Sequence, residues 1–213
     1  MANPTSADTE SRADRFLRSA LTILGETGRT DFTVLEVVER SKTSLRSFYQ
    51  HFSTKDELLL ALIDTIMAES AARWRAELEG LPAAQALRTL IERICTPAGS
   101  SRQDYINRGL TSYNDRLADT LPREYARVLA PLHQLIVDIL RRGVAEGAFR
   151  GPGETAPDGG VDADLDAVAA LIMQTALGAM RLRALGAELG GAPIDAELIY
   201  TFCLHGLART TDS

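Results

Sequence analysis

Little in this chain of 213 residues invites covalent, redox or metal chemistry. Its two cysteines, Cys95 and Cys203, stand far apart in apolar helical settings, which suits two reduced buried thiols and not a disulfide framework. His51, His133 and His205 are too widely spaced for a local metal motif. Asp162, Asp164 and Asp166 imitate the opening of a calcium loop. The next position is Ala167 where glycine is needed, and the twelfth is Met173 where glutamate is needed. The segment opening Gly151-Pro152-Gly153 follows a helical pattern instead of a strand, so it makes a poor phosphate loop. No nucleophile elbow, HExxH or CxxC is present, so nothing supports an enzyme, and no cofactor or metal is expected. No apolar run approaches the roughly 18 residues a membrane span needs. The start, MANPTSADTESRADR, lacks the cationic and apolar regions of a signal peptide, so a cytoplasmic protein with no membrane partner is expected.

A net charge of −6 argues against a protein that coats nucleic acid or membrane indiscriminately. The charge is uneven, however. Residues 1–55 hold eight Lys/Arg against seven Asp/Glu, whereas the remainder holds 15 against 22, so the first quarter is the part suited to meeting phosphate. From Arg40 to Lys55 there is no carboxylate at all, while Arg40, Lys42, Arg46, His51 and Lys55 all fall in that stretch.

Apolar residues recur with helical period nearly throughout, and no strict alternation marks a strand, so an all-α chain of about nine helices is expected. Phe16, Leu17, Ala20, Leu21 and Leu24 mark a first helix ended by Gly25 and Gly28. Thr33 with Glu36 forms a capping box for a second, reaching about Ser41; a short third runs from Ser44 to Gln50; Thr54 with Glu57 caps a long fourth. Pro82 and Pro122 suit the starts of the fifth and seventh helices, and a sixth spans about 103–118. The Gly/Pro-rich stretch 151–160 is a connection. The last two helices are expected near 161–188 and 193–210. AVAALIMQTALGAM in the eighth is apolar or small almost all round, so it must be covered on more than one side. With Ile194, Leu198, Phe202, Cys203 and Leu207 striping the ninth, the pair reads as a homodimer surface, two helices per subunit forming a four-helix bundle.

Two short helices joined by a three-residue turn describe a helix-turn-helix whose second helix enters the major groove. That helix offers Ser44, Leu45, Arg46, Ser47 and Tyr49. An arginine forks onto guanine O6 and N7, small hydroxyls reach base edges or phosphate, and leucine meets a thymine methyl. Thr33 at a helix start, Tyr49, His51 and Lys55 are suited to backbone phosphates.

The run FYQHFSTKDELLLAL, with its spacing of Tyr49, Phe52, Lys55, Leu58 and Leu59, resembles the signature of TetR-type transcriptional regulators over about residues 10–67. The resemblance implies an N-terminal three-helix helix-turn-helix bundle, residues 1–56, and a C-terminal helical ligand-binding and dimerisation domain, residues 57–213. It implies that Thr33, Tyr49, His51 and Lys55 hold phosphate, that Thr43, Ser44, Leu45, Arg46 and Ser47 face the bases, and that Phe52 and Leu59 are core. The family usually has Ala-Gly-Val in the turn, where this chain has Ser41, Lys42 and Thr43. Without glycine, Lys42 is expected to adopt a left-handed conformation at roughly 1–2 kcal/mol, leaving a cation near the DNA backbone.

Regulators of this type often enclose an inducer among their middle helices. Tyr105, Tyr113, Asn114, His133 and Gln174, with the apolar Ile136, Met173 and Leu177, fit a largely apolar cavity with a few orienting groups. The expected function is a ligand-responsive dimeric repressor, released from a palindromic double-stranded DNA operator by a small-molecule effector. The alternative is a helical small-molecule carrier or enzyme whose N-terminal bundle no longer binds DNA.

Overall fold

The computed structural model of the protein describes residues 11–96, 101–151, 164–186 and 194–207. The connection expected at 151–160, and Asp162, lie wholly or largely outside them. Among the described residues the fold is all-α, with helices α1 (Arg12–Thr27), α2 (Val34–Arg40), α3 (Leu45–Tyr49), α4 (Lys55–Glu77), α5 (Ala83–Cys95), α6 (Ser101–Thr120), α7 (Pro122–Ala145), α8 (Leu165–Leu185) and α9 (Ala196–Leu207).

Local chemistry sets most of the helix ends. Ser11 and Asp14 form a capping box that starts α1, and Gly28 ends it in the left-handed conformation, φ 66°. Gly25 does not end α1; it is a buried helical residue. At α4, Glu57 N–H donates to Thr54 Oγ1 at 3.1 Å, but the Glu57 carboxylate reaches Ser53 N–H, at 2.7 Å. Pro82 precedes α5, whose first N–H, that of Ala83, donates to the Glu146 carboxylate at 2.8 Å.

Contacts group the chain into two units. One unit comprises Met1–Thr65 with Gly99–Pro122; the other comprises Ile66–Ala98 with Arg123–Ser213. In the first, the aromatic trio Phe16, Phe48 and Phe52 forms the centre, with ring centroids 5.4–6.4 Å apart. Such pairs add about 0.5–1.5 kcal/mol each beyond their burial. Val37, Val38, Leu58, Leu59 and Leu62 close the core around it. Helix α6 belongs to this unit because Gly109 lets it approach the end of α1. A Cβ there would lie 3.0 Å from a Leu24 methyl and 3.1 Å from the Gly28 carbonyl oxygen.

The second unit has its own core of α5, α7, α8 and α9 residues, including Leu87, Leu90, Ile91, Leu132, Ile136, Leu140, Ile172 and Ala176. α8 buries Ala169, Ile172, Met173, Ala176 and Ala179, all on one face. By length and composition it is apolar enough to cross a membrane. Counting uninterrupted apolar runs missed this, because isolated polar residues such as Gln174 break the runs without lowering the average much. Its other face carries Leu171, 62% exposed, and α9 exposes Leu198 and Phe202, the latter 72% exposed.

Candidate nucleic-acid interface

The turn between α2 and α3 closes without glycine. Lys42 N–H donates to the Glu39 carbonyl at 3.1 Å and Thr43 N–H to the Val38 carbonyl at 2.9 Å. That is the paired hydrogen-bond pattern of a Schellman motif, whose penultimate residue must be left-handed. Lys42 meets the requirement with φ 53°, alone among the described non-glycine residues. Ser41 Oγ lies 2.7 Å from Thr43 Oγ1, so the two hydroxyls are engaged with each other inside the turn.

α3 starts where Ser44 Oγ accepts from Ser47 N–H at 3.1 Å. Its five residues then divide by helical period. Leu45, Arg46 and Tyr49 point outward, Leu45 and Tyr49 being 44% and 58% exposed. Phe48 is fully buried. Ser47 departs from its expected place facing the bases: it is 7% exposed, and its Oγ finds no hydrogen-bond partner among the described residues. It shares the inward side of the helix with Phe48, so the outward set reduces to Ser44, Leu45, Arg46 and Tyr49. Thr43 is half-buried, and Lys42 and His51 are exposed.

The charges near this face are partly spent. Arg40 pairs with Glu26 at 2.7 Å. Thr33 is occupied by its own capping box: its N–H and hydroxyl donate to the Glu36 carboxylate at 2.5 and 2.8 Å, and its Oγ1 accepts from Glu36 N–H. Those bonds, the Thr33 N–H foremost, hold the Glu36 carboxyl below its ordinary range. The start of α2 therefore already holds an anion. Lys42 and Arg46 have no acidic partner among the described residues. The same is true of Arg12 and Arg15, which sequence reasoning passed over; both are exposed on α1, next to Phe16, whose ring lies 6.1 Å from that of His51. Their spacing on the polar side of the first helix was the available signal.

Lys55 is placed differently from a free phosphate anchor. It is half-buried, and its Nζ donates to the carbonyls of Thr30 at 2.9 Å and Phe32 at 3.0 Å. The ammonium also sits 5.4 Å from the centre of the Phe32 ring and 6.0 Å from that of Tyr113. Burial pushes its pKa below the ordinary lysine value, outweighing the opposing pull of Asp56. Tyr113, in α6, donates its hydroxyl to Asp56, and Arg116 approaches the other Asp56 oxygen at 3.4 Å. Burial first, then the hydrogen bond to Asp56, pushes the Tyr113 phenol up to about 12.

The residues expected to meet an effector are divided between the two units. In the first, Tyr105 is exposed and packs over Gly28, Tyr113 is engaged by Asp56, and Asn114 is half-buried with Oδ1 lacking a partner among the described residues. In the second, Ile136 and Met173 are buried in the core, Leu177 is half-buried, Gln174 is exposed, and His133 Nε2 lies 2.9 Å from the Asp166 carbonyl. A groove of about 680 Å³ in the second unit is lined by none of these, but by Ala68, Ala71, Ala72, Arg75, Ala76 and Glu79 on one side and Pro131, Gln134 and Arg142 on the other. Four alanines, Ala68, Ala71, Ala72 and Ala76, leave the space; helical periodicity gives no hint of what faces them.

A short helix held outward by an aromatic core, carrying Arg46 with Lys42 in the turn before it, both without an acidic partner among the described residues, has the form of a helix-turn-helix reading head. Residues 16–62 match the family described as bacterial regulatory proteins, tetR family. The chain carries a domain of that family at its N-terminal end, the domain of a DNA-binding transcriptional regulator. No curated protein matches it in sequence. Its fold is similar to that of a TetR-family transcriptional regulator from Agrobacterium tumefaciens, at 23% identity and TM-score 0.59 over 93% of this chain and 98% of that one. It is likewise similar to E. coli NemR in its reduced form, at 13% identity and TM-score 0.64, over 93% and 98% of the chains. A third, FadR from Bacillus subtilis in complex with stearoyl-CoA, is 15% identical with TM-score 0.63, over 90% and 95%.

Proposed function

We propose that this regulator is a repressor that occupies a pseudo-palindromic operator as a homodimer and leaves it when a small, largely apolar effector binds. The outward set Ser44, Leu45, Arg46 and Tyr49 on α3 is the observation that carries the DNA reading. Arg46 reads a guanine, Leu45 a thymine methyl, and Lys42, Tyr49 and His51 meet phosphate. Arg12 and Arg15 extend the same basic edge.

The dimer follows from the apolar side of α8 and α9 that the chain leaves bare. Leu171, Leu198 and Phe202 together present a surface a soluble monomer rarely exposes. A two-fold axis through it buries both copies and gives the dimer two recognition helices, one for each of two half-sites about 34–36 Å apart. Effector binding changes that spacing by favouring one of two conformations, which needs only a difference in affinity between them. The alanine-lined groove between α4 and α7, about 680 Å³, has room for such a molecule.

The test is fluorescence anisotropy on the duplex that the wild-type protein selects from a randomised library. Arg46→Ala is expected to cost roughly 1–3 kcal/mol and relax the preference at one position of each half-site. An Arg46→Ala protein that keeps both affinity and sequence preference would remove α3 from the readout.

A further inference from the structure

We propose that Lys55 and Tyr113 are positioning residues for DNA binding, and that Lys55 does not itself hold phosphate. The inference rests on the DNA-binding reading above and assigns a different task to one of its expected contacts. Lys55 has three N–H donors, and two of them are committed to the Thr30 and Phe32 carbonyls. Those carbonyls belong to the segment joining α1 to α2, which otherwise lacks helical hydrogen bonds. Phe32 is buried beneath, so its ring and carbonyl grip the same ammonium.

The other side of the ammonium is closed from α6. Tyr113 is buried, its ring faces Lys55, and its hydroxyl ties down Asp56, the neighbouring residue in the first turn of α4. Arg116 stacks 5.6 Å from the Tyr113 ring and completes the pairing of Asp56. One clasp thus joins three segments: the α1–α2 connection, the first turn of α4, and the middle of α6. What it orients is α2, and through the Lys42 turn, α3. Swinging the ammonium off these two acceptors toward a phosphate would cost both carbonyl bonds.

Salt dependence separates positioning from contact. Each lost phosphate contact lowers the slope of log K against log salt by about 0.9, hence about 1.8 for a symmetric dimer. The selected duplex is titrated with wild type, Lys55→Met and Tyr113→Phe across a range of KCl, well below the melting transition, with folding checked by circular dichroism. Both variants are expected to bind about 3- to 30-fold more weakly with the wild-type slope, since oriented hydrogen bonds are lost but no counterion release. Lys55→Arg, whose fork can reach both carbonyls, is expected to recover most of the affinity. A slope lowered by about 1.8 in Lys55→Met would show a direct phosphate contact and overturn the assignment. So would wild-type affinity in Tyr113→Phe, which keeps the buried ring and decides the matter if Lys55→Met does not fold. A wild-type protein that selects no duplex would refute the DNA-binding reading itself, and this inference with it.

Discussion

Lys42 is where the cost of the turn and the benefit of a cation compete, so its replacement by glycine separates them. The side chain sits at φ 53° in the position of the Schellman motif that glycine normally fills. Relieving the left-handed conformation gains about 1–2 kcal/mol. Glycine's greater freedom in the unfolded chain takes back about 0.5–1 kcal/mol. The net is about 1 kcal/mol of added stability per protomer, or a rise of about 2–4 °C in melting temperature for a chain of this size. The binding effect has the opposite sign. If Lys42 meets one phosphate in each half-site, its loss lowers the salt slope by about 1.8. Between about 50 and about 200 mM salt, wild-type affinity then falls about 12-fold further than that of Lys42→Gly. Lys42→Ala is the control, because it removes the charge and keeps the strain: the slope falls and the melting temperature does not rise. Thermal denaturation and anisotropy titrations on the three proteins give both numbers. A Lys42→Gly protein less stable than wild type would show that the turn is unstrained; an unchanged slope would show that the cation never reaches the backbone.

Two further substitutions address the second unit. A Cβ at Gly143 would fall within the ring of Phe149, which is 1% exposed, its Cγ 2.9 Å away. Gly143→Ala is therefore expected to destabilise by about 2–4 kcal/mol: displacing a buried phenylalanine costs roughly 3–5, and better helix propensity returns about 1. In a Phe149→Ala background the same change should stabilise by about 1 kcal/mol, and urea denaturation that shows no reversal of sign would discard the steric explanation. On the exposed α8–α9 side, Phe202→Glu places a charge where the proposed dimer is driest; dissociation is expected to become about 100-fold or more easier, read by light scattering, with operator affinity lost in parallel. A Phe202→Glu protein that stays dimeric would move the interface elsewhere.

Much of the reading head was legible residue by residue because its determinants are local. The capping box of Thr33 and Glu36, the Ser44 cap and the left-handed Lys42 each involve partners within five positions along the chain. Type and spacing are enough to state such interactions. Helical period likewise located the helices seen among the described residues and the bare apolar side of the last two. The effector residues were harder, since polar groups on helix faces look alike whether they meet a ligand, a carboxylate or solvent. Tyr113 turned out to be engaged by Asp56, and Gln174 to be exposed.

Helix order, caps and the composition of the carboxylate-free stretch from Arg40 to Lys55 thus followed from covalent neighbours and the 3.6-residue period. Folding in three dimensions settled which side of α3 faces out, hiding Ser47 with Phe48. It also drew α6 beside α1 through Gly109, and turned Lys55 inward onto carbonyls 23 and 25 positions away. The reason is range: a hydrogen bond to a near neighbour is dictated by side-chain reach, whereas a bond across 57 residues, such as that of Tyr113 to Asp56, exists only after two helices have found their crossing.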